Sequence, residues 1–169
     1  PANFVLVAAS NPCPCGFLGD PIKKCRCMPG QIMQYKKRLS GPIVDRIDLH
    51  IELPPVGVEK LTGEIKSESS ASVKKRVQKA RDLQTKRYRK TGTICNSDLN
   101  TKEIKELISL SEDCLKLLRQ AVSTMHLSAR TYYRTIKVAR TVADLGGENE
   151  ISVTHIAEAL QYRPKEENW

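Results

Sequence analysis

Only two segments of this chain have the pattern of a β-strand, and this scarcity limits the folds available to it. Residues 4–9 form a continuous apolar run, which is typical of a strand covered on both faces of a parallel sheet. Residues 49–53 alternate apolar and polar side chains, and Pro54-Pro55 ends them. Two strands do not make a stable sheet, so we expect the missing strands to come from an upstream segment or another chain. We therefore interpret the 169 residues as a fragment of a longer protein.

The rest of the chain is predicted to be a loop, a linker and a helical region. Residues 12–30 hold four prolines and three glycines, which predicts an irregular loop. Short helices are predicted at 31–39 and 43–46. Residues 56–70 are rich in Gly, Ser, Lys and Glu without a clear period, so they are predicted to be a linker between part of an α/β core at 1–55 and an all-α domain at 71–169. Within that domain the predicted helices are 71–90, 101–110, 111–125, 128–145 and a last one from Ser152 or Thr154 to Pro164.

The composition of the chain indicates which classes of partner it can bind and which cellular compartment to expect. Lys and Arg number 28 against 19 Asp and Glu, which gives a net charge of +9 and favours an anionic partner such as nucleic acid or a nucleotide phosphate. No apolar run approaches the length of a membrane span, which argues against an integral membrane protein. Residues 1–9 lack the features of a secretory signal, so the expected compartment is a reducing cytoplasm.

Most of the excess charge lies on one predicted helix, residues 71–90, where nine basic side chains oppose Asp82 alone for a net charge of +8. Such a run is usually a solvated face, and contact with a phosphate backbone is the alternative. Tyr88 is the only aromatic residue there, so base stacking is not supported. The candidate nucleic-acid residues are Lys74, Lys75, Arg76, Lys79, Arg81, Lys86, Arg87, Arg89 and Lys90.

Four of the six cysteines lie within fifteen residues, at Cys13, Cys15, Cys25 and Cys27. Two Cys-x-Cys pairs supply four thiolates, the number that a closed structural Zn²⁺ site needs. The one-residue spacing is tighter than the usual C-x₂-C knuckle, which makes the pattern less specific. Zn²⁺ binding, free thiols and disulfides therefore remain the three interpretations.

Three further side chains suit phosphate chemistry, each with an ordinary structural alternative. Asn11 follows the first strand, where ligands of parallel sheets bind, although Asn before Pro also favours a turn. Arg46 lies between two acids, as in a surface ion pair, or can reach a nucleotide's terminal phosphate across a subunit boundary. Arg130 follows Ser128 in the first turn of a predicted helix, where a cation is unfavourable unless an anion or a salt bridge compensates it.

At these residues the chain resembles the magnesium-chelatase-related AAA+ ATPases of the ComM/YifB type. The resemblance covers nearly the whole chain. It is carried by the segments VAASNPCPCG (7–16), CRC (25–27), LSGPIVDRIDLH (39–50), LSAR (127–130) and VARTVADL (138–145).

The resemblance implies the C-terminal part of an AAA+ P-loop core followed by a helical lid, mainly α overall. It implies Asn11 as the first-sensor residue, Arg46 as the arginine finger and Arg130 as the second-sensor residue of the lid. It further implies ATP and Mg²⁺ as cofactors, a homo-oligomeric ring, expected to be a hexamer, and DNA as the substrate, as in branch migration and natural transformation. No G-x-x-x-x-G-K-[ST] sequence occurs in the 169 residues, so this chain alone is expected to lack ATP turnover.

Two other functions fit parts of the pattern. A zinc-stabilised, non-enzymatic nucleic-acid-binding module needs the cysteines and the basic helix but not the arginines. A chelatase-type motor that inserts a metal into a tetrapyrrole is suggested by the family name, and no sequence feature supports a porphyrin site.

Overall fold

The computed structural model describes residues 4–39, 44–54 and 67–163. These residues form six α-helices and no β-strand, with single-turn 3₁₀ helices at Val44–Arg46 and Asn96–Asp98. The helices are α1 (Pro29–Leu39), α2 (Ser70–Tyr88), α3 (Thr101–Leu107), α4 (Glu112–Thr124), α5 (Ala129–Gly146) and α6 (Val153–Gln161).

The described residues fall into two compact units. The first consists of those within Pro1–Gly63 together with Arg163, and the second of those within Glu64–Tyr162. The predicted linker lies largely outside the described residues, and the predicted domain boundaries stay a prediction. The mainly helical character that was predicted is confirmed, because five of the six described helices make up the second unit.

The two strand predictions are not met in the described residues. Residues 4–9 and 49–53 are not paired in a sheet, and Val5 and Val7 are each 89% exposed. A strand requires a hydrogen-bonded neighbour, and the first unit has none among its described residues. The predicted helix at 31–39 is confirmed and begins two residues earlier, at Pro29, a residue type that suits a first helical turn.

Local capping sets the helix boundaries of the second unit. Ser69, Ser111 and Ser128 each accept a hydrogen bond from a backbone N–H in the first turn of α2, α4 and α5. Asn100 forms a capping box with Glu103 at the start of α3. Helix α5 ends at Gly147, whose φ of 76° is left-handed and whose N–H bonds back to the last turn.

One aliphatic cluster fills the second unit and draws on α2 to α6. Its buried members are Tyr88, Leu99, Ile104, Ile108, Cys114, Leu118, Ile136, Ala139, Ile151, Ile156 and Ala159. In α4, Leu118 is completely buried in this cluster, whereas Val122 is 37% exposed. Cys114 is completely buried and takes part in the core. The helix predicted at 101–110 ends at Leu107, because Leu110 forms a parallel bridge with Ile151 instead.

A buried carboxylate joins α2 to α5. Asp144, whose side chain is fully buried, accepts hydrogen bonds from the guanidinium groups of Arg87 and Arg140 and from the amide of Asn96. The Asn96 amide also donates to Thr141 (2.9 Å), and its oxygen accepts from the Tyr88 hydroxyl (2.7 Å). Every polar group at the centre of this network therefore has a partner, which is the condition for burying charge without a large cost.

The two arginines respond differently to the same carboxylate. The hydrogen bonds from Arg87 to Asp144 raise the pKa of Arg87. Burial lowers the pKa of Arg140, and the attraction of Asp144 only partly opposes it. Arg140 is the more deeply buried of the two, and it also donates to the carbonyl oxygens of Glu148 and Asn149 beyond the end of α5. The network thus fixes both the end of α5 and the segment that leaves it.

We predict that Asp144→Asn lowers the free energy of unfolding by about 3–5 kcal/mol, because it leaves buried guanidinium charge without its counterion. Urea denaturation followed by circular dichroism measures this. The matched control is Glu112→Gln, which removes a surface pair with Arg119 and should cost less than about 1 kcal/mol. Equal, small losses for both variants would contradict the assigned role of Asp144.

Candidate functional site

The four clustered cysteines meet in the first unit, as their spacing predicted. Their Sγ atoms all lie within 4.8 Å of one another. Cys13 is completely buried, and its Sγ lies 3.4 Å from that of Cys15 and 3.7 Å from that of Cys25. A tetrahedron of thiolates around Zn²⁺ has edges of about 3.8 Å, given a Zn–S bond of about 2.3 Å. The four thiols are thus close to the arrangement of a metal site, and all six cysteines of the chain are free thiols.

The backbone around the cluster is shaped to present the sulfurs. Gly16 has a φ of 82°, and its N–H donates to the carbonyl of Cys13 (3.0 Å), which closes a tight turn between the first two thiols. Cys15 accepts backbone hydrogen bonds from Phe17 and Arg26, and these lower its pKa to about 6. Burial, with the neighbouring Cys15, raises the pKa of Cys27 to about 12. A cluster that holds one thiolate at neutral pH already carries part of the negative charge that a cation requires.

Asn11 lies beside this turn. Its side chain is exposed, and a Cβ atom placed on Gly16 would lie 3.8 Å from the Asn11 Cγ. The turn that presents the first two thiols therefore also borders the Asn11 amide. Asn11 was predicted to follow a buried strand, but residues 4–9 are exposed and form no strand, so that setting is not found among the described residues.

Arg46 and Arg130 are both exposed, and they lie in different units. Arg46 is the last residue of the 3₁₀ turn Val44–Arg46, in which Ile47 N–H donates to Val44 (3.0 Å). Arg130 is the second residue of α5, directly after the cap in which Ser128 Oγ accepts from the Thr131 N–H (3.2 Å). Within the described part of the chain, no acidic side chain pairs with Arg130. An exposed guanidinium at a helix N-terminus is a site where an anion binds favourably.

The basic side chains of α2 and of the two residues that follow it, Arg89 and Lys90, fall into two groups. Arg76 donates two hydrogen bonds to Glu68 (2.9 and 3.1 Å), and Arg87 is held by Asp144. The side chains of Lys74, Lys75, Lys79, Arg81, Lys86, Arg89 and Lys90 are exposed. Sequence reasoning grouped Arg87 with these solvent-facing cations. Its partner lies 57 residues away in sequence, a distance at which no local pattern indicates the pairing.

Two family models match the chain. Magnesium chelatase, subunit ChlI matches residues 1–61, and magnesium chelatase, subunit ChlI C-terminal matches residues 67–163. The second match alone covers more than half of the chain, so the chain belongs to the magnesium chelatase ChlI family. None of the described helices combines the length and the hydropathy that a membrane span needs.

Within that family the similarity extends to proteins of the ComM and YifB type. The chain is 46% identical over 165 residues to the competence protein ComM of Haemophilus influenzae. It is 42% identical over 166 residues to the uncharacterized protein YifB of Escherichia coli, and 33% identical over 163 residues to an uncharacterized protein of Mycobacterium bovis. These alignments cover 96% of this chain but only 31%, 31% and 32% of the relatives, so the chain spans about a third of their length. The resemblance predicted from the motifs is confirmed.

Proposed function

We propose that this chain is the C-terminal part of a cytoplasmic AAA+ ATPase motor, in which ATP binds between the subunits of a homo-oligomeric ring, expected to be a hexamer. The observation that carries the proposal is Arg130: an exposed cation in the first turn of α5, unpaired by any acid among the described residues. The family membership supports an ATPase-type motor in general.

Three side chains have separate roles in this proposal. Asn11 orients the attacking water near the terminal phosphate. Arg130 of the same subunit binds that phosphate from the helical unit. Arg46 extends to the nucleotide of the neighbouring subunit and stabilises the charge that develops during phosphoryl transfer. ATP supplies the phosphoryl group, and Mg²⁺ neutralises phosphate charge. The loop and the acids that hold them belong to the part of the motor outside these 169 residues.

The exposure of Arg46 and Arg130 is consistent with these roles, since neither guanidinium is buried inside its own unit. We propose that loss of the terminal phosphate releases Arg130, and that the resulting movement of the helical unit does work on a substrate.

We predict that in the longer protein Arg46→Ala lowers kcat for ATP hydrolysis about 10³-fold or more, as arginine fingers do. Arg130→Ala should lower kcat about 10²–10³-fold, the effect of losing one donor to developing charge. Arg119→Ala is the matched control, because Arg119 is an exposed arginine of the helical unit paired with Glu112, and it should leave turnover within about twofold. The 169-residue chain alone should show no ATP turnover.

Mixing the two inactive variants tests the assignment to different subunits. An interface with Arg130 from an Arg46→Ala subunit and Arg46 from an Arg130→Ala subunit is complete, so mixed rings should regain a measurable part of the activity. Mixtures that stay inactive would contradict the action of Arg46 across the boundary. Retained ATPase in both single variants would contradict the roles of Arg46 and Arg130. Loss of ATPase with DNA affinity intact would favour the motor over the non-enzymatic nucleic-acid-binding module.

The thiol cluster is proposed to be a structural Zn²⁺ site with Cys13, Cys15, Cys25 and Cys27 as ligands. The S···S distances fit a tetrahedral ion, and the described residues of the first unit bury only Cys13 and Val44 fully enough to count as core. A metal would therefore supply stability that apolar burial does not.

We predict about one zinc per chain in protein purified without chelators, measured by inductively coupled plasma mass spectrometry. Cys25→Ser should lose most of this metal, because three thiolates no longer close the site. Cys95→Ser, a control at a cysteine outside the cluster, should retain it. A zinc content below about a tenth per chain in the unaltered protein would contradict the site and leave free thiols as the interpretation.

DNA is the proposed substrate of the motor, supported by the charge of α2. We predict that branched DNA stimulates ATP hydrolysis by the longer protein severalfold, whereas a porphyrin does not. Stimulation by the porphyrin alone would identify the chelatase-type motor instead. An unstimulated basal rate with both additions would contradict DNA as the substrate.

A further inference from the structure

The outward face of α2 holds three lysines in a line. Counting about 100° per residue, Lys75, Lys79 and Lys86 lie within about 40° of one another around the helix axis. The buried side of the helix is formed by Ala80, Gln84 and Tyr88, and its centre, Gln84, lies about 160° around the axis from the three lysines. We call Lys75, Lys79 and Lys86 the lysine stripe. All three are exposed, and none forms an ion pair with any residue that the structure describes.

The other cations of α2 differ from the lysine stripe, because they are paired with an acid or point in another direction. Glu68 holds Arg76 through two hydrogen bonds, and Asp144 holds Arg87. Lys74 and Arg81 lie about 100° or more away around the helix. The net charge of α2 is therefore larger than the charge that a single flat ligand can contact. On α2, only the lysine stripe presents several positive charges that are unpaired among the described residues and face in one direction.

Asp82 is the single acid within the stripe. It lies three residues after Lys79 and four before Lys86, so it is a neighbour of both on the helix surface. Its carboxylate accepts a hydrogen bond from Gln78 (2.8 Å), which keeps it on the helix surface. A negative charge at this position weakens the attraction of the stripe for an anion.

We propose that the lysine stripe binds the sugar–phosphate backbone of duplex DNA lengthwise, and that Asp82 limits its affinity. This rests on DNA being the substrate and names the surface that contacts it. The stripe extends over about 16 Å, a length in which duplex DNA presents about ten phosphates. Tyr88, the only aromatic residue of α2, is 1% exposed, so the helix offers no base-stacking platform for a single strand.

A membrane surface is the competing polyanion, and the arrangement of α2 disfavours it. An interfacial helix inserts an apolar face beside its basic one. The C-terminal half of the side of α2 opposite the lysine stripe is packed into the second unit at Ala80, Gln84 and Tyr88. The N-terminal half of that side exposes two small apolar side chains, Val73 and Val77. The residues between the lysines on the outward face, such as Gln78 and Asp82, are polar.

The first test is the salt dependence of DNA binding by the 169-residue chain without ATP, measured by fluorescence anisotropy with a labelled 20-base-pair duplex. The variant K75Q/K79Q/K86Q should reduce the slope of log affinity against log salt by about 2.7, since each phosphate contact contributes about 0.9. The control K102Q/K105Q/K116Q removes the same charge from exposed lysines of α3 and α4 and should change the slope by less than about 1. Equal changes for both variants would overturn the stripe and leave net charge as the cause.

The second test adds affinity instead of removing it. Asp82→Asn keeps the oxygen that Gln78 contacts and removes the charge, so it should tighten DNA binding severalfold at low salt. The control Asp113→Asn makes the same charge change at an exposed side chain of α4 and should change DNA affinity less. A decrease, or equal gains for both, would contradict the role of Asp82.

Binding to vesicles with an anionic headgroup, with none to the duplex, would overturn the proposal in favour of a membrane. Because these affinities are measured without ATP, their failure is distinguishable from failure of the motor proposal, which is scored by ATP turnover of the Arg46 and Arg130 variants.

Discussion

The carboxylate of Asp144 is the interaction on which the helical unit depends. It lies in the last turn of α5 without exposure to solvent, and two guanidinium groups and an amide compensate its charge. Since one compensating arginine comes from α2 and the amide from the 3₁₀ turn at Asn96–Asp98, the carboxylate ties three segments together. The same contacts bury Tyr88 and fix the rotation of α2 about its own axis. The direction in which the lysine stripe faces is therefore a consequence of a buried ion pair.

The first unit is held by a different kind of interaction. Its described residues leave large apolar side chains such as Phe4 and Leu53 exposed, so little hydrophobic burial contributes to its stability. Four sulfurs brought within 4.8 Å and a left-handed glycine turn provide the local order instead. The Asn11 amide borders that turn, so a residue proposed for catalysis lies next to the segment that the thiols organise.

The features that the sequence predicts correctly are those whose causes lie nearby in the chain. The ends of α5 follow from Ser128 and Gly147, which lie next to the helix, and the cysteine cluster follows from spacing within fifteen residues. The end of α3 was missed because Leu110 pairs with Ile151, forty-one residues later in the chain. Arg87 was assigned to the solvent-facing charges for the same reason, since its partner Asp144 is distant in sequence. The strand predictions depended on neighbours that the described residues do not contain.

Helix α5 shows why two conspicuous charges have different uses. Arg130 lies at its N-terminal end and Asp144 in its last turn, so each has the sign that the helix dipole disfavours at that position. For Asp144 the conflict is resolved inside the fold, because Arg87 and Arg140 outweigh the dipole at short range. For Arg130 no acid among the described residues does the same, and the side chain is exposed. A helix with one such conflict resolved and the other left open has a favourable place for an anion at its open end. This is the reason for proposing Arg130 as a ligand of a nucleotide phosphate.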